Sequence, residues 1–278
     1  MTEPDSAATP VWPFDIGIVG IGIVGTHQLT REAEAVIRRC NRTFVIADGY
    51  GIADYIATLC PQVTDLGSLY EPGRNRGPTY HKMAAEVVSA AASNPPVCLA
   101  TYGHPWVYCY PTTLITQAAP LLGLRVEVFP GISAFDTLLV DLGIDIAANG
   151  IQMYEATDLL IRRRPIQNDV TCVIWQPTVA GDPTCPSQPY PAQQFEPLQE
   201  YLLRFYPGDH EASLVTTKTH PLMRSVVKQL RLSELAATLA GDPEVGTLYI
   251  PALHHRPIED TALMEFMVTA GMDAPSQS

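Results

Sequence analysis

The sequence predicts an α/β protein with two domains, and three observations lead to this prediction. The chain has 278 residues, which is long enough for two medium-sized domains that share a cleft. Short apolar runs that suit buried strands alternate with segments of helical periodicity. Hydrophobic residues make up 46% and charged residues only 17%, so a well-buried core is expected. This alternation is typical of a mostly parallel sheet with helices on both faces.

The first domain is expected over residues 12–145. Apolar runs predict its strands at residues 14–20, 43–48, 97–101 and 125–131, the last including a Pro-Gly turn. Helical spacing and helix-start residues predict its helices at residues 31–40 with Thr30 as N-cap, near 51–59, 80–92 and 112–122, and from Ser133 onward.

The second domain is expected over residues 150–258, followed by a tail at 259–278. Its strands are predicted at residues 151–156, 171–177, 213–217 and 246–251, and its helices at 157–165, near 196–206 and near 221–239. A long proline-rich loop at 177–191 interrupts this rhythm. Loops of that length are functional or mobile more often than they are simple connections.

The charge balance and the cysteine pattern exclude several classes of function. Lys and Arg number 17 against 29 Asp and Glu, for a net charge of −12, which disfavours nucleic acid and anionic membrane surfaces as partners. The six cysteines show no CxxC or zinc-ligand spacing, so free thiols and no metal site are expected. No apolar signal segment precedes the first strand, and we expect a cytoplasmic protein.

A glycine-rich loop follows the first predicted strand. Gly20, Gly22 and Gly25 have GxGxxG spacing, and Asp48 ends the next predicted strand. The pattern fits a nicotinamide-dinucleotide site, in which a helix N-terminus faces the pyrophosphate and the carboxylate binds a ribose. Residues 26–29 separate the last glycine from the predicted helix, which argues against that fit. A tight turn that needs glycine conformations explains the spacing as well.

Four segments, in chain order, resemble a known family. They are GIGIVGTHQLT (20–30), YGHPWVYCYP (102–111), FPGISAFD (129–136) and GTLYIP (246–251). They are similar to the first loop, the cofactor loop, the Pro-Gly-x-Ser turn and the last strand of the tetrapyrrole methylase superfamily. The resemblance implies two α/β domains of the tetrapyrrole methylase type, with S-adenosyl-L-methionine as cofactor in the cleft between them.

Finer features resemble one branch, the borosin (omphalotin-type) peptide backbone N-methyltransferases. The segments concerned are LYEPGRNRGPTYHKM (69–83), YEATDLL (154–160), IWQ (174–176) and YPGDH (206–210). This resemblance implies natural-product biosynthesis of the RiPP type, with methylation of backbone amides of a ribosomally made precursor, by a homodimer. The chain ends at Ser278 without a long hydrophobic core peptide. We therefore expect the split type, in which the precursor peptide is a separate protein.

The resemblance places Tyr70, Arg76 and Tyr80 at the family's catalytic positions. A peptide nitrogen is a poor nucleophile because its lone pair is delocalised into the carbonyl group. Tyr80 is the candidate base, and Arg76 supplies a permanent positive charge that favours phenolate. Tyr70 is the candidate hydrogen-bond donor to the amide oxygen. A surface stack or a structural hydrogen-bond pair is the alternative role for these residues.

The resemblance also assigns cofactor contacts. Those residues are Tyr102, His104, Val107, Ser133, Ala134, Gln176 and Thr247. Core packing is the alternative for Val107 and Ala134, and helix capping is the alternative for Ser133.

Other functions and partners stay open from the residues alone. Methylation of a small molecule or of a tetrapyrrole-like ring is the alternative reaction, and a non-catalytic peptide-binding protein is an alternative from another class. The basic run Arg162–Arg164 predicts either a solvated helix face or a dock for an acidic leader peptide.

Overall fold

The computed structural model describes residues 13–46, 51–147, 149–185, 188–240 and 246–272. Two five-stranded sheets organise these residues. The first sheet contains β1 (Ile16–Gly20), β2 (Arg42–Ile46), β3 (Val63–Asp65), β4 (Val97–Thr101) and β5 (Val126–Phe129). Its strand order is β3-β2-β4-β1-β5, and every pair is parallel. The carboxyl ends of all five strands therefore meet at one edge.

Helices cover both faces of the first sheet. They are α1 (Arg31–Arg39), α2 (Ile52–Leu59), α3 (Arg76–Ser93) and α4 (Tyr110–Ala118), and a further helix, α5 (Ala134–Leu142), follows β5. Val36 and Ile37 of α1 pack in one core cluster, and Met83 and Val87 of α3 pack in another. Burial on both faces explains why these strands read as continuous apolar runs.

The second sheet is mixed. It contains β6 (Ile151–Glu155), β7 (Thr171–Trp175), β8 (Glu211–Thr216), β9 (Val226–Arg231) and β10 (Thr247–Ile250), in the order β6-β7-β10-β8-β9. Only β6 and β7 pair in parallel, and the other three pairs are antiparallel. One large cluster includes buried residues of α6 (Ala156–Arg162), α7 (Glu196–Leu202) and α8 (Leu235–Ala240). Leu138 of α5 packs against Val173 and Trp175 in a separate cluster.

The α/β class with two sheets confirms the predicted fold class, and one predicted helix is wrong. Residues 221–239 were expected to be helical, but β9 occupies 226–231 and only α8 is helical nearby. Five of the six β9 residues are exposed, so the strand lacks the apolar run that marks its neighbours. The short strand β3 and a last helix, α9 (Thr261–Met272), escaped the sequence reading.

Residues 87–124 contain no Asp, Glu, Lys or Arg. They form the end of α3, strand β4, α4 and a short 3-10 turn. Among the described residues, no helix combines the length and the apolar character that crossing a membrane requires. The proposed domain boundaries at 145 and 150 remain a prediction.

Candidate active site

Three glycines bring the loops at the carboxyl ends of adjacent strands together. Gly20 ends β1, Gly103 follows β4 and Gly131 follows β5. A Cβ atom on Gly20 would lie 2.5 Å from the carbonyl oxygen of Gly103 and 2.7 Å from the Cα of Gly131. The three backbones are therefore in direct contact, and any side chain at Gly20 would separate them. This contact places the predicted cofactor loop beside the predicted Pro-Gly-x-Ser turn.

The glycine loop after β1 does not form a dinucleotide cradle. The side-chain oxygen of Gln28 accepts hydrogen bonds from the backbone N–H groups of Ile23 at 2.7 Å and Val24 at 2.9 Å. A 3-10 turn over Gly25–Gln28 then precedes α1, which Thr30 caps. The amides that would bind a pyrophosphate are thus already used, and the tight-turn interpretation is favoured. Asp48 lies outside the described residues.

A cleft of about 720 Å³ lies beside the start of α3 and takes walls from both halves of the chain. This volume falls in the range typical of small-molecule sites. Of the predicted residues, the structure brings together Arg76, Tyr80 and Gln176 in its lining. Sequence reasoning did not single out the other lining residues that matter below, which are Trp106, Tyr108, Tyr110, Glu155 and Asp182. The aromatic-rich segment 106–110 was the available signal for three of them.

Two lining residues have a left-handed backbone that side chains rarely adopt. Tyr108 has φ 55° in the loop after β4, and Gln176 has φ 55° at the end of β7. The ring centroid of Tyr108 lies 6.0 Å from that of Trp175, the residue before Gln176. The loop after β4 and the end of β7 therefore face each other, and each carries one of the two left-handed residues. Such conformations cost of order 1–3 kcal/mol each and concentrate at functional sites.

A chain of tyrosine rings connects the cleft to the interior. Tyr80 makes edge-to-face contacts with Tyr70 at 6.1 Å and with Tyr110 at 6.0 Å. Burial raises the pKa of Tyr70 well above its ordinary value, and the neighbouring Tyr80 adds to this shift. Tyr70 therefore keeps its proton at neutral pH and has a hydroxyl that can donate a hydrogen bond. Burial, followed by the charges of Glu155 and Asp158, likewise raises the pKa of Tyr108 to about 12.

Arg76 is held by main-chain carbonyls from the second half of the chain. Its Nη2 donates to the Asp182 carbonyl oxygen at 2.9 Å, and its Nε donates to that of Pro183 at 3.4 Å. Arg76 precedes Tyr80 by one turn of α3, so both side chains lie on the same side of the helix. Guanidinium stays protonated, and Arg76 therefore brings a permanent positive charge to this wall.

The predicted cofactor residues of α5 have structural partners. The carboxylate of Asp136 accepts hydrogen bonds from the Ser133 backbone N–H at 2.7 Å and from its hydroxyl at 2.6 Å. Ser133 thus caps α5, and its amide is engaged within the capping box. Ala134 packs against the apolar cluster that contains Trp175. Both observations match the alternatives that the sequence left open, and cofactor contact by these residues stays a prediction.

The remaining predicted cofactor residues lie near strand ends. Tyr102, His104 and Val107 follow β4, and Thr247 opens β10 opposite Val215. The Nδ1 atom of His104 accepts a hydrogen bond from the backbone N–H of Trp106 at 3.1 Å. Within the described part of the chain, these four residues do not line the cleft, and their cofactor contacts also stay a prediction.

The basic run at the end of α6 has internal partners. Arg162 and Arg164 both form ion pairs with Asp158, and Arg163 has the left-handed conformation that ends the helix. These contacts favour the solvated helix face. No group of three His, Cys, Asp or Glu side chains among the described residues is arranged to hold a metal ion.

Comparisons with known proteins confirm the resemblance. Residues 15–236 match the family described as Tetrapyrrole (Corrin/Porphyrin) Methylases. A type I borosin cyclic peptide precursor and methyltransferase of Coprinopsis marcescibilis is 32% identical over 89% of this chain and 64% of its own length. The omphalotin A precursor and methyltransferase of Omphalotus olearius is 30% identical over 84% of this chain and 57% of its own. The chain thus spans between half and two thirds of these relatives.

Solved structures show the same fold at low identity. Uroporphyrin-III-C-methyltransferase from Thermus thermophilus has a TM-score of 0.62 at 18% identity, covering 85% of this chain and 91% of its own. Diphthine synthase has a TM-score of 0.58 at 15% identity, covering 90% of this chain and 95% of its own. The architecture of two sheets is therefore shared among these proteins.

Proposed function

Since the chain belongs to the tetrapyrrole methylase family, we propose that it is an S-adenosylmethionine-dependent methyltransferase of the borosin type. Its proposed substrate is the backbone amides of a ribosomally made precursor peptide that is a separate chain. One observation carries the proposal: Arg76 and Tyr80 line a single cleft, and the protonated Tyr70 lies against Tyr80. The relatives are named as methyltransferases joined to peptide precursors, which supports a peptide substrate.

The cleft fits the cofactor by size and by chemistry. Its volume of about 720 Å³ leaves room for a nucleoside beside a peptide segment. The rings of Trp106 and Tyr108 offer stacking surfaces, and the amide of Gln176 offers a donor and an acceptor. We propose that these residues hold the cofactor together with the other six predicted from the resemblance. When bound, S-adenosylmethionine supplies the methyl group as an electrophilic sulfonium substituent.

The three catalytic residues would act on the amide of the peptide. Tyr80 accepts the N–H proton, which frees the nitrogen lone pair. Arg76 brings a fixed positive charge to the cleft that Tyr80 lines. Tyr70 donates a hydrogen bond to the amide oxygen, where negative charge develops as the nitrogen loses its proton. A positioned base contributes roughly 10²–10⁴-fold, and one such donor contributes roughly 10²–10³-fold.

The names of the relatives favour a peptide over the alternative substrate, a small molecule or tetrapyrrole-like ring. A macrocycle needs an open trough, whereas a peptide can thread an enclosed channel. Asn75 and Arg76 on one wall are joined to Pro183 and Thr184 on the other by backbone pairing. This pairing joins the two walls along one side of the cleft, where it would border a threaded peptide.

Co-expression with candidate peptides tests the proposal. Short peptides encoded beside this gene would be produced with the wild-type protein and with Tyr80→Phe, then analysed by tandem mass spectrometry. Methyl groups on backbone nitrogens, with the wild type only, are expected. Calorimetric titration of both proteins with S-adenosylmethionine is the control. Cofactor binding without any peptide methylation would move the assignment to the small-molecule alternative, and absence of cofactor binding would contradict the methyltransferase assignment.

We further propose that the protein is a homodimer, and α9 supports this. Its described side chains are exposed on every face, although Leu263, Phe266, Met267 and Val268 are large and apolar. A helix this short gains little stability alone, and an apolar exterior favours a partner. Phe266→Glu is expected to convert dimers to monomers in sedimentation equilibrium. Leu121→Glu, which changes an exposed apolar residue outside α9, serves as the control. An unchanged mass with Phe266→Glu would contradict a dimer through α9.

The proposed location is the cytoplasm. All six cysteines are free thiols, and four of them, Cys40, Cys60, Cys98 and Cys172, are buried. Free thiols at these positions are compatible with a reducing compartment.

A further inference from the structure

The proline-rich loop of the second half forms backbone hydrogen bonds with the segment at the start of α3. Gly73 N–H donates to the Cys185 carbonyl at 2.7 Å, and Cys185 N–H donates to the Arg74 carbonyl at 3.1 Å. Asn75 and Thr184 form an antiparallel bridge, and Arg76 N–H donates to the Pro183 carbonyl at 2.9 Å. The two segments, 73–76 and 182–185, form a short ladder, which we call the clamp.

Asp182 organises the turn at the start of the clamp. Its Oδ1 accepts from the Thr184 backbone N–H at 2.7 Å, and its Oδ2 accepts from the Thr184 hydroxyl at 2.9 Å. The Tyr190 hydroxyl donates to the same Oδ2. The carboxylate is therefore occupied by the turn, and it is the main-chain carbonyl of Asp182 that receives the Arg76 guanidinium. The side chain fixes the direction of that carbonyl.

Tyr190 links the turn to the rigid core of the second half. Its ring packs edge-to-face on Phe195 at 6.1 Å, and Phe195 is fully buried in the large cluster of that half. Two further bonds hold the approach to the turn: Gly181 N–H donates to the Thr157 hydroxyl at 3.0 Å, and Gln194 donates to the Ala180 carbonyl at 2.9 Å. A continuous path thus runs from the buried core through Tyr190 and Asp182 to Arg76.

We propose that Asp182 and Tyr190 are positioning residues that set the location of the Arg76 guanidinium in the cleft. The inference rests on the proposed function for its catalytic consequence only. Neither residue needs to touch the substrate, because both act through the carbonyls of residues 182 and 183. A carboxylate partner would offset the charge of the guanidinium, whereas two carbonyl partners leave its positive charge available to the cleft.

The position of Arg76 can be measured without any substrate. Isotope-labelled arginine gives side-chain Nε–H signals, and Arg76→Gln identifies the signal of Arg76 by its loss. In Tyr190→Phe, exchange of this proton with water is expected to be about fivefold faster, because one supporting hydrogen bond is lost. In Asp182→Ala it is expected to be about tenfold faster or more. Tyr201→Phe is the matched control, since its hydroxyl donates to the Arg164 carbonyl at 2.9 Å within the same core cluster.

The catalytic consequence is a selective loss of kcat. Tyr190→Phe and Asp182→Ala are each expected to lower kcat for methyl transfer about tenfold, with the KM for S-adenosylmethionine unchanged. In an Arg76→Gln background, neither change should reduce kcat further, because both act through Arg76. Losses that multiply in that background, or an unchanged Nε–H exchange rate in Asp182→Ala, would overturn the positioning role. If the wild type transfers no methyl group, the proposed function fails, and the exchange rates alone decide the positioning claim.

Discussion

The two sheets of this protein differ in how they build the site. The first is all parallel, and its carboxyl edge carries glycine loops whose backbones touch at Gly20, Gly103 and Gly131. The second is mixed, and it contributes a strained residue at the end of β7, Gln176, together with the clamp loop. The candidate catalytic residues Arg76 and Tyr80 lie on α3, between β3 and β4 of the first sheet, whereas the carbonyls that hold Arg76 come from the loop after β7 of the second.

This difference suggests a division of labour between the halves. A parallel sheet brings several loops to one edge at no extra cost, so reactive side chains collect there. A mixed sheet with longer connections can send a loop across to the other half. Under the proposed function, the first half supplies the reacting side chains, and the second half supplies cleft walls and the carbonyls that hold Arg76. Each change below tests one side of that division, in order of expected effect.

Removing the proposed base should have the largest effect. Tyr80→Phe is expected to lower methyl transfer by about 10²-fold or more while cofactor affinity stays the same, because only the proton acceptor is lost. Tyr70→Phe should lower transfer by about 10²-fold to 10³-fold, because the donor to the amide oxygen is lost. Quantitative mass spectrometry of the peptide and calorimetric titration of the cofactor measure both. Normal turnover of Tyr80→Phe would show that Tyr80 is not the proton acceptor and would contradict the assignment of the reacting groups to the first half.

Separating the glycine loops should have the next largest effect. In Gly20→Ala the added Cβ meets backbone atoms at 2.5 Å and 2.7 Å, which cannot move aside as a flexible side chain can. We expect a loss of about 3 kcal/mol in the free energy of unfolding, or a protein that does not fold. Gly208→Ala in the second half is the control, since its Cβ would meet Ser233 at 3.4 Å, an ordinary contact. Urea unfolding measures both, and equal stabilities would show that the glycine contact is dispensable.

The sequence predicted the first half better than the second for physical reasons. Strands buried on both faces, such as β1 and β4, leave continuous apolar runs. The edge strand β9 leaves no such run, because only Leu230 among its residues is buried. Motif resemblance found Arg76, Tyr80 and Gln176, which the cleft brings together. The resemblance did not identify Asp182. The proposed role of Asp182 depends on the contact of its carbonyl with Arg76 of α3, and no local sequence pattern predicts a contact between residues so far apart in the chain.

Relieving backbone strain at two positions should distinguish Gln176, which lines the cleft, from Arg163, which only ends a helix. Gln176→Gly removes the left-handed strain and the amide, so we expect up to about 1 kcal/mol of added stability and cofactor affinity lowered about fivefold to tenfold. Arg163→Gly relieves the same kind of conformation at the end of α6, outside the cleft, where glycine is favoured. It should gain similar stability with no change in affinity. Thermal unfolding and calorimetric titration report these effects, and unchanged affinity in Gln176→Gly would exclude its amide from the cofactor site.

The smallest effect is expected at a buried tyrosine of the second half that takes no part in the cleft. The buried Tyr206 hydroxyl has no hydrogen-bond partner among the described residues, and burial raises its pKa, as it does for Tyr70. An unfolded phenol titrates near pH 10, below the folded group, so the unfolded state loses its proton first and stability falls as pH rises above about 10. Tyr206→Phe removes the contribution of Tyr206 to this dependence and the cost of its unpaired hydroxyl, so stability at neutral pH should stay equal or rise by up to about 1 kcal/mol. Urea unfolding between pH 7 and about pH 11 measures the change. Tyr70→Phe should also weaken the loss of stability at alkaline pH, but it should lower methyl transfer as well. Unchanged methyl transfer by Tyr206→Phe would show that a raised tyrosine pKa reflects burial in both halves of the chain, and that it accompanies a catalytic role only in the first half.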